Sequence, residues 1–185
     1  VQWGGAEVRT EATGYGTIFF AQEMLAVHGD HLEGKRVSVS GSGNVAIYAI
    51  DKAWHLGATP VTASDSSGYV VDDEGIQTDL LRQLKEIDRV RISEYVKYRP
   101  TARFVEGERP WSVPVDVAIP SATQNELDED DARTLVAGGV RVVAEGANMP
   151  STPGAVAIFQ EADVLFGPGK AANAGGVATS ALEMS

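Results

Sequence analysis

Gly41-Ser42-Gly43-Asn44-Val45-Ala46 follows the apolar run Val37-Ser-Val-Ser and opens a helix-like stretch, and an acid, Asp65, stands 19 positions beyond Ala46. Those residue types at that spacing fit recognition of a dinucleotide by a βαβ unit. Gly41 allows the tight turn, Gly43 lets a pyrophosphate approach the backbone, and Ala46 lets helix and strand pack closely. A helix beginning at Gly43–Asn44 would point free N–H groups and a positive dipole end at the phosphates. Gly41, Ser42, Gly43, Asn44 and Val45 are therefore the expected contacts on this turn, with Asp65 and Ser66 at the ribose beyond it.

Such a turn needs a strand behind it and a helix after it. Lys35–Ser40 reads as a short buried strand, Asn44–Leu56 as a helix closed by Gly57, and Pro60–Ser64 as a second strand. A helix is expected over Glu11–His28. Further along, Ile76–Ile87 reads as helical, Ser93–Lys97 as ambiguous and Arg103–Pro114 as irregular. Strands are expected over Val115–Ile119, Val140–Ala144 and Val164–Phe166, and helices over Asp128–Val136, Thr152–Gln160 and from Val177 to Met184. Strands alternating with helices predict an α/β fold: a doubly wound, mostly parallel Rossmann-like sheet with helices on both faces. Ligands of such sheets bind beyond the C-terminal strand ends, which selects the loops after Ser40, Ser64, Ile119, Ala144 and Phe166.

The chain has 185 residues, enough for one domain with a real core, and residues 1–185 read as one dinucleotide-binding domain. A hydrophobic fraction of 43% with 22% charged residues is that of a globular protein, without an apolar run of the ~18 residues that span a membrane. A formal net charge of -11 opposes binding to nucleic acid or an anionic membrane. It also means that a polyanionic cofactor must be held by local dipoles and a few cations. The absence of cysteine excludes thiolate chemistry and is compatible with a cytoplasmic location. Val1-Gln-Trp-Gly-Gly is neither a signal peptide nor a usual start, which suggests a piece of a longer chain.

The candidate loops carry specific words: Arg9-Thr-Glu-Ala-Thr13-Gly-Tyr-Gly16, Ala122-Thr-Gln-Asn125-Glu-Leu, Ala144-Glu-Gly-Ala-Asn148-Met-Pro, and Gly167-Pro-Gly-Lys-Ala-Ala-Asn173-Ala-Gly-Gly-Val177-Ala-Thr-Ser180. Together they resemble the cofactor domain of the bacterial hexameric NADP-dependent glutamate dehydrogenases over essentially the whole chain. The resemblance implies reversible oxidative deamination of glutamate to 2-oxoglutarate and ammonia with NADP(H). It implies that Thr13 contacts the nicotinamide carboxamide, that Asn44 lies by the pyrophosphate and ribose, and that Ala122, Thr123, Asn125, Asn148 and Asn173 line the nicotinamide end. Val177 and Ser180 would touch the bound amino acid, Ser180 at the carboxylate of the substrate's side chain. The catalytic lysine and aspartate of the family lie in a substrate domain that this resemblance places before Val1. The isolated chain is thus expected to bind cofactor without turnover and to associate more weakly than the family's homo-hexamer.

Cofactor choice turns on Asp65-Ser66-Ser67. An acid here normally grips a ribose 2′-hydroxyl and repels a 2′-phosphate, whereas hydroxyls beside it can donate to that phosphate. NADP-using members of the family resemble this chain in having Asp-Ser-Ser-Gly, but they usually place a lysine after Glu-Ile, where this chain has Asp88. Lys85 and Arg89 are the available substitutes. NADP is the expected cofactor, with NAD as the alternative.

Other constellations are bland. His28, His31 and His55 have no metal-ligand spacing, and no metal site is expected. Glu126–Asp131 reads as a solvated helix start, Tyr95 and Tyr98 as packed or solvated, and Lys170 as an anion anchor or a surface lysine. Thr13 and Ser180 are alternatively helix caps. The alternatives for the whole are a leucine- or phenylalanine-type amino-acid dehydrogenase, which would lack the Ser180 match, a nucleotide-sensing module without chemistry and, more remotely, a methyltransferase.

Overall fold

Alternation of side chains along two short strands explains why the sheet is covered on both faces. In β6 (Val117–Ile119), Val117 and Ile119 join one apolar cluster and Ala118 the other; in β7 (Val142–Ala144), Val142 and Ala144 part from Val143 in the same way. The computed structural model describes residues 9–176, in which these strands form a five-stranded, wholly parallel sheet. Its order is β2 (Thr59–Pro60), β1 (Arg36–Val39), β6, β7 and β8 (Leu165–Gly167). The helices α1 (Arg9–Val27) and α2 (Asn44–His55) cover one face through Ile18, Leu25, Ile47 and Ile50. On the other face α4 (Glu129–Ala137) and α5 (Pro153–Glu161) bury Leu135 and Phe159 against Trp111.

The helix starts follow local chemistry. Asp128 caps α4 by accepting the Asp130 and Asp131 N–H groups, and Asp131 returns a carboxylate to the Asp128 N–H. Thr152 caps α5, with Pro153 at its first position. Gly57, at φ +77, ends α2 as its composition predicted. None of the helices among the described residues is long and apolar enough to cross a membrane.

Three expectations are corrected. The second strand is not one element over Pro60–Ser64. Backbone pairing with β1 stops at Pro60, and the Thr62 hydroxyl then stands in for it, bonding both the N–H and the carbonyl of Val39. Beyond that point β3 (Thr62–Asp65) turns into a separate antiparallel sheet with β4 (Gly68–Asp72) and β5 (Ala102–Glu106). Arg103–Pro114 is accordingly not irregular throughout: it holds most of β5 and a short 3-10 turn over Pro110–Ser112. Ile76–Ile87 is helical only from α3 (Thr78–Arg82), which widens into a π turn over Gln83–Ile87, and Ile92–Lys97 is a 3-10 helix. The expected helix from Val177, and Val177 and Ser180 with it, lie outside the described residues.

Candidate active site

The chain passes from β2 on one side of β1 to β6 on the other, and a cleft of about 490 Å³ opens where their C-terminal ends diverge. Gly41, Ser42 and Gly43 form one wall, Ser64, Asp65 and Ser66 a second, and Ser121, Ala122, Thr123 and Glu126 a third; Gly68, Gly107, Glu108 and Arg109 complete the lining. Gly41 has φ +86, and a Cβ there would sit 3.1 Å from the Ser121 carbonyl, so the turn requires glycine. Gly43 differs: a Cβ on it would meet nothing within 4 Å. It caps α2 with its backbone alone, and no side chain satisfies the first N–H groups of that helix, which begins at Asn44. Gly43 and Asn44 are exposed, and Val45 is half-buried. An open approach to uncapped helix N–H groups suits a pyrophosphate.

Asp65 is committed to the protein. Its carboxylate accepts the Lys85 ammonium at 2.8 Å, the Ser67 N–H and hydroxyl, and the Ile92 N–H. Burial pushes this carboxyl up, but the Lys85, Ser67 and Ile92 donors outweigh it and hold it down at about 2. Ser66 and Ser67 are the two-residue turn between β3 and β4; Gly68 follows because a Cβ there would strike the Val105 carbonyl. Ser66 is exposed, and its hydroxyl accepts from the Arg91 guanidinium at 2.5 Å. Lys85, Arg89, Arg91 and the acid Glu94 line, with Val90 and Ser93, an open depression of about 610 Å³, which Arg91 joins to the Ser66 turn. Asp88, the troubling acid of the sequence, accepts from Gln83.

Glu126 corrects the expectation of a solvated acidic run. It is buried, and one carboxylate oxygen accepts from the Ser40 hydroxyl and from the N–H groups of Ala122 and Thr123. Burial pushes its carboxyl up against those donors. The Ser40 hydroxyl in turn accepts the Ser121 N–H, so the loop after β6 is fixed to the tip of β1. Ala122 and Thr123 thus turn their N–H groups inward while their residues stay exposed.

The neighbouring loops join at one end of the cleft. Asn125, at φ +54, donates its N–H to the Met149 carbonyl. The Asn173 amide nitrogen reaches the Gly146 and Ala147 carbonyls and Asn148 Oδ1. Thr13 lies inside α1 rather than at its cap, and a Cβ on Gly176 would sit 2.5 Å from its hydroxyl. Gly14 lets α1 cross α2 closely: a Cβ there would strike the Val45 carbonyl at 2.6 Å. Asn125, Asn148 and Asn173 therefore sit on adjoining loops, outside the residues that line the cleft, and Thr13 is brought to Gly175–Gly176, where the described residues end. Lys170 is exposed on α6 (Gly169–Ala172), outside the cleft lining. Tyr95 is buried, its hydroxyl accepting the Gln77 N–H. Sequence reasoning missed Arg91, Arg109 and Glu126.

Residues 4–185 match the family described as glutamate/leucine/phenylalanine/valine dehydrogenase. The chain belongs to this family. It is 57% identical over 188 residues to an NADP-specific glutamate dehydrogenase of Escherichia coli K12 and 53% identical to an NAD(P)-specific glutamate dehydrogenase of Xylanibacter ruminicola. Both alignments take in 100% of this chain and 42% of the relative's length. Among solved structures, glutamate dehydrogenase of Plasmodium falciparum superposes with a TM-score of 0.95 at 46% identity, over 99% of this chain and 40% of that one. The family and the parallel sheet agree with the resemblance read from the loops.

Proposed function

We propose that this chain is the cofactor-binding part of an NADP-dependent glutamate dehydrogenase, an enzyme for reversible oxidative deamination of L-glutamate to 2-oxoglutarate and ammonia. The observation that carries the cofactor reading is the state of Asp65: an acid already held by Lys85, Ser67 and Ile92 is a poor partner for a ribose hydroxyl. Ser66 stands beside it, bonded to Arg91, and Arg91 and Arg89 face an open depression that Glu94 also lines. That chemistry suits a 2′-phosphate, which guanidinium groups bind in a charge-assisted way. NAD remains the second reading because the naming of the Xylanibacter ruminicola relative allows both cofactors.

Gly41, Ser42, Gly43, Asn44 and Val45 would hold the pyrophosphate, Asp65 and Ser66 would border the adenosine ribose, and Thr13, Ala122, Thr123, Asn125, Asn148 and Asn173 would surround the nicotinamide end. Val177 and Ser180 are assigned to the amino acid by the family resemblance alone. The bound nicotinamide supplies hydride acceptance; the chain's own residues bind and orient it. Proton transfer and the closed substrate cleft belong to the longer protein, as do the homo-hexamer and the cytoplasmic location.

Titration of the chain with NADPH and NADH separately tests this reading. The expected result is tighter binding of NADPH and no turnover of glutamate above blank. NADH binding as tight as NADPH would overturn the NADP assignment, and turnover by the chain alone would overturn the division of labour.

A further inference from the structure

Ser40 sits at the tip of β1, fully buried and outside the residues that line the cleft. Its hydroxyl donates to Glu126 Oε1 at 2.9 Å and accepts the Ser121 N–H at 2.8 Å. The same Oε1 accepts the N–H groups of Ala122 at 2.9 Å and Thr123 at 3.3 Å. One carboxylate oxygen therefore gathers three donors and, through Ser40, a fourth. Glu126 is itself anchored. Its carbonyl accepts Arg109 Nη1 at 2.6 Å and Trp111 Nε1 at 3.4 Å, and Leu127 beside it donates to the Pro150 carbonyl at 2.9 Å. A buried carboxylate is costly, and its donors offset that cost only while the loop stays where it is.

The loop so held lies against the glycine turn. A Cβ on Gly41 would stand 3.1 Å from the Ser121 carbonyl oxygen and 3.2 Å from Ala122 Cα. A Cβ on Gly146 would meet both the Ser121 hydroxyl and the Val45 side chain, which places those two side chains together. From the opposite side the Gly41 N–H donates to the Ser64 hydroxyl at 2.7 Å, and the Gly41 carbonyl accepts the Ser64 N–H at 3.0 Å. The turn is thus gripped between Ser64 and the Ser121–Thr123 loop, and the second grip rests on Glu126.

We propose that Glu126 and Ser40 are positioning residues for the dinucleotide: they hold the Ser121–Thr123 loop against Gly41–Val45 and so keep the uncapped N-terminus of α2 aimed into the cleft. This rests on the cofactor reading above. The relay reaches the turn and not Ser66 or Arg91, so it serves both coenzymes alike. What it requires at position 126 is an acceptor oxygen at the right reach.

Calorimetric titration of the chain with NADPH and with NADH tests the relay, with circular dichroism melts showing that each variant is folded. S40A and E126A should each weaken both coenzymes by about tenfold, the size of one or two lost hydrogen bonds. E126Q keeps the oxygen and should bind within about twofold of the unchanged chain, a rescue that a general loss of packing would not give. The S40A/E126A pair should be no weaker than E126A, since one relay is broken in both. Additive losses in the pair, or losses confined to NADPH, would overturn the proposal. So would a neutral S40A beside a weakened E126A, which would mean that Glu126 acts by touching the ligand. If the alanine variants do not fold, E126D, shorter by one methylene, takes their place: an affinity as high as that of E126Q overturns the relay. An unchanged chain that binds neither coenzyme overturns the cofactor reading itself, whereas tight binding that survives S40A and E126A overturns only the relay.

Discussion

Asp65 shows how a residue type can mislead when its partners are unknown. The acid after the second strand argues for a free ribose hydroxyl, yet here its charge is balanced by Lys85 and its oxygens are occupied. Its ionised form is favoured in the folded chain, with a carboxyl near 2 against an ordinary 3.8. The stabilisation is therefore complete above about pH 4 and is lost as pH falls from about 4 towards about 2. K85M leaves burial to push the carboxyl up, so the acid limb of a melting-temperature profile should move to higher pH. Arg91 gives a second prediction. Replacing it by alanine should weaken NADPH binding by about tenfold to a hundredfold, the range for hydrogen bonds to a charged group, and leave NADH within about twofold. Parallel titrations check it. Neither Arg91 nor Glu126 was legible in the sequence. Their key bonds join Arg91 to Ser66 and Glu126 to Ser40, 25 and 86 positions apart, and no local period records such separations.

At the scale of elements, the glycine turn between β1 and α2 was fully legible because its constraint is local. Gly41 and Gly43 nevertheless have opposite duties. G41A should lower stability by roughly 1–2 kcal/mol, since a side chain is forced into a left-handed backbone beside the Ser121 carbonyl. G43A has ordinary backbone angles and open space around it, so stability should change by less than about 0.5 kcal/mol. Its methyl would occupy the approach to the helix N-terminus, so NADPH affinity should drop by about tenfold or more. Denaturant melts paired with titration separate the two variants. Four of the five strands of the parallel sheet were also readable, as short apolar runs; β2 was not, because the run Pro60–Ser64 crosses into β3. β4 and β5 were not. Ser66-Ser67 lacks the residue pairs that announce a two-residue hairpin, and a phosphate-binding loop was the stronger reading of Asp65–Gly68. Both descriptions fit: the turn of the hairpin is the edge of the cleft.

For the molecule as a whole, a formal charge of -11 surrounds a small depression where Lys85, Arg89 and Arg91 outnumber Glu94. The distant charges repel an incoming anionic cofactor, while the cations act at contact range. Raising ionic strength from about 0.01 to about 0.1 M shortens the screening length from about 30 to about 10 Å and so hides the distant charges first. The association rate of NADPH should therefore rise over that range, which stopped-flow mixing would reveal; a steady fall would show that the depression dominates the far field. The small antiparallel sheet has a consequence of its own. The Gly41–Gly43 turn follows a strand of the parallel sheet, whereas Ser66 hangs from β3 and β4, with β4 also hydrogen-bonded to β5. On the function proposed above, holding a dinucleotide and choosing between two of them would fall to separate pieces of backbone. On that reading, substitutions confined to residues 66–67 and 89–91 would shift coenzyme preference while the Gly41–Val45 turn stays as it is.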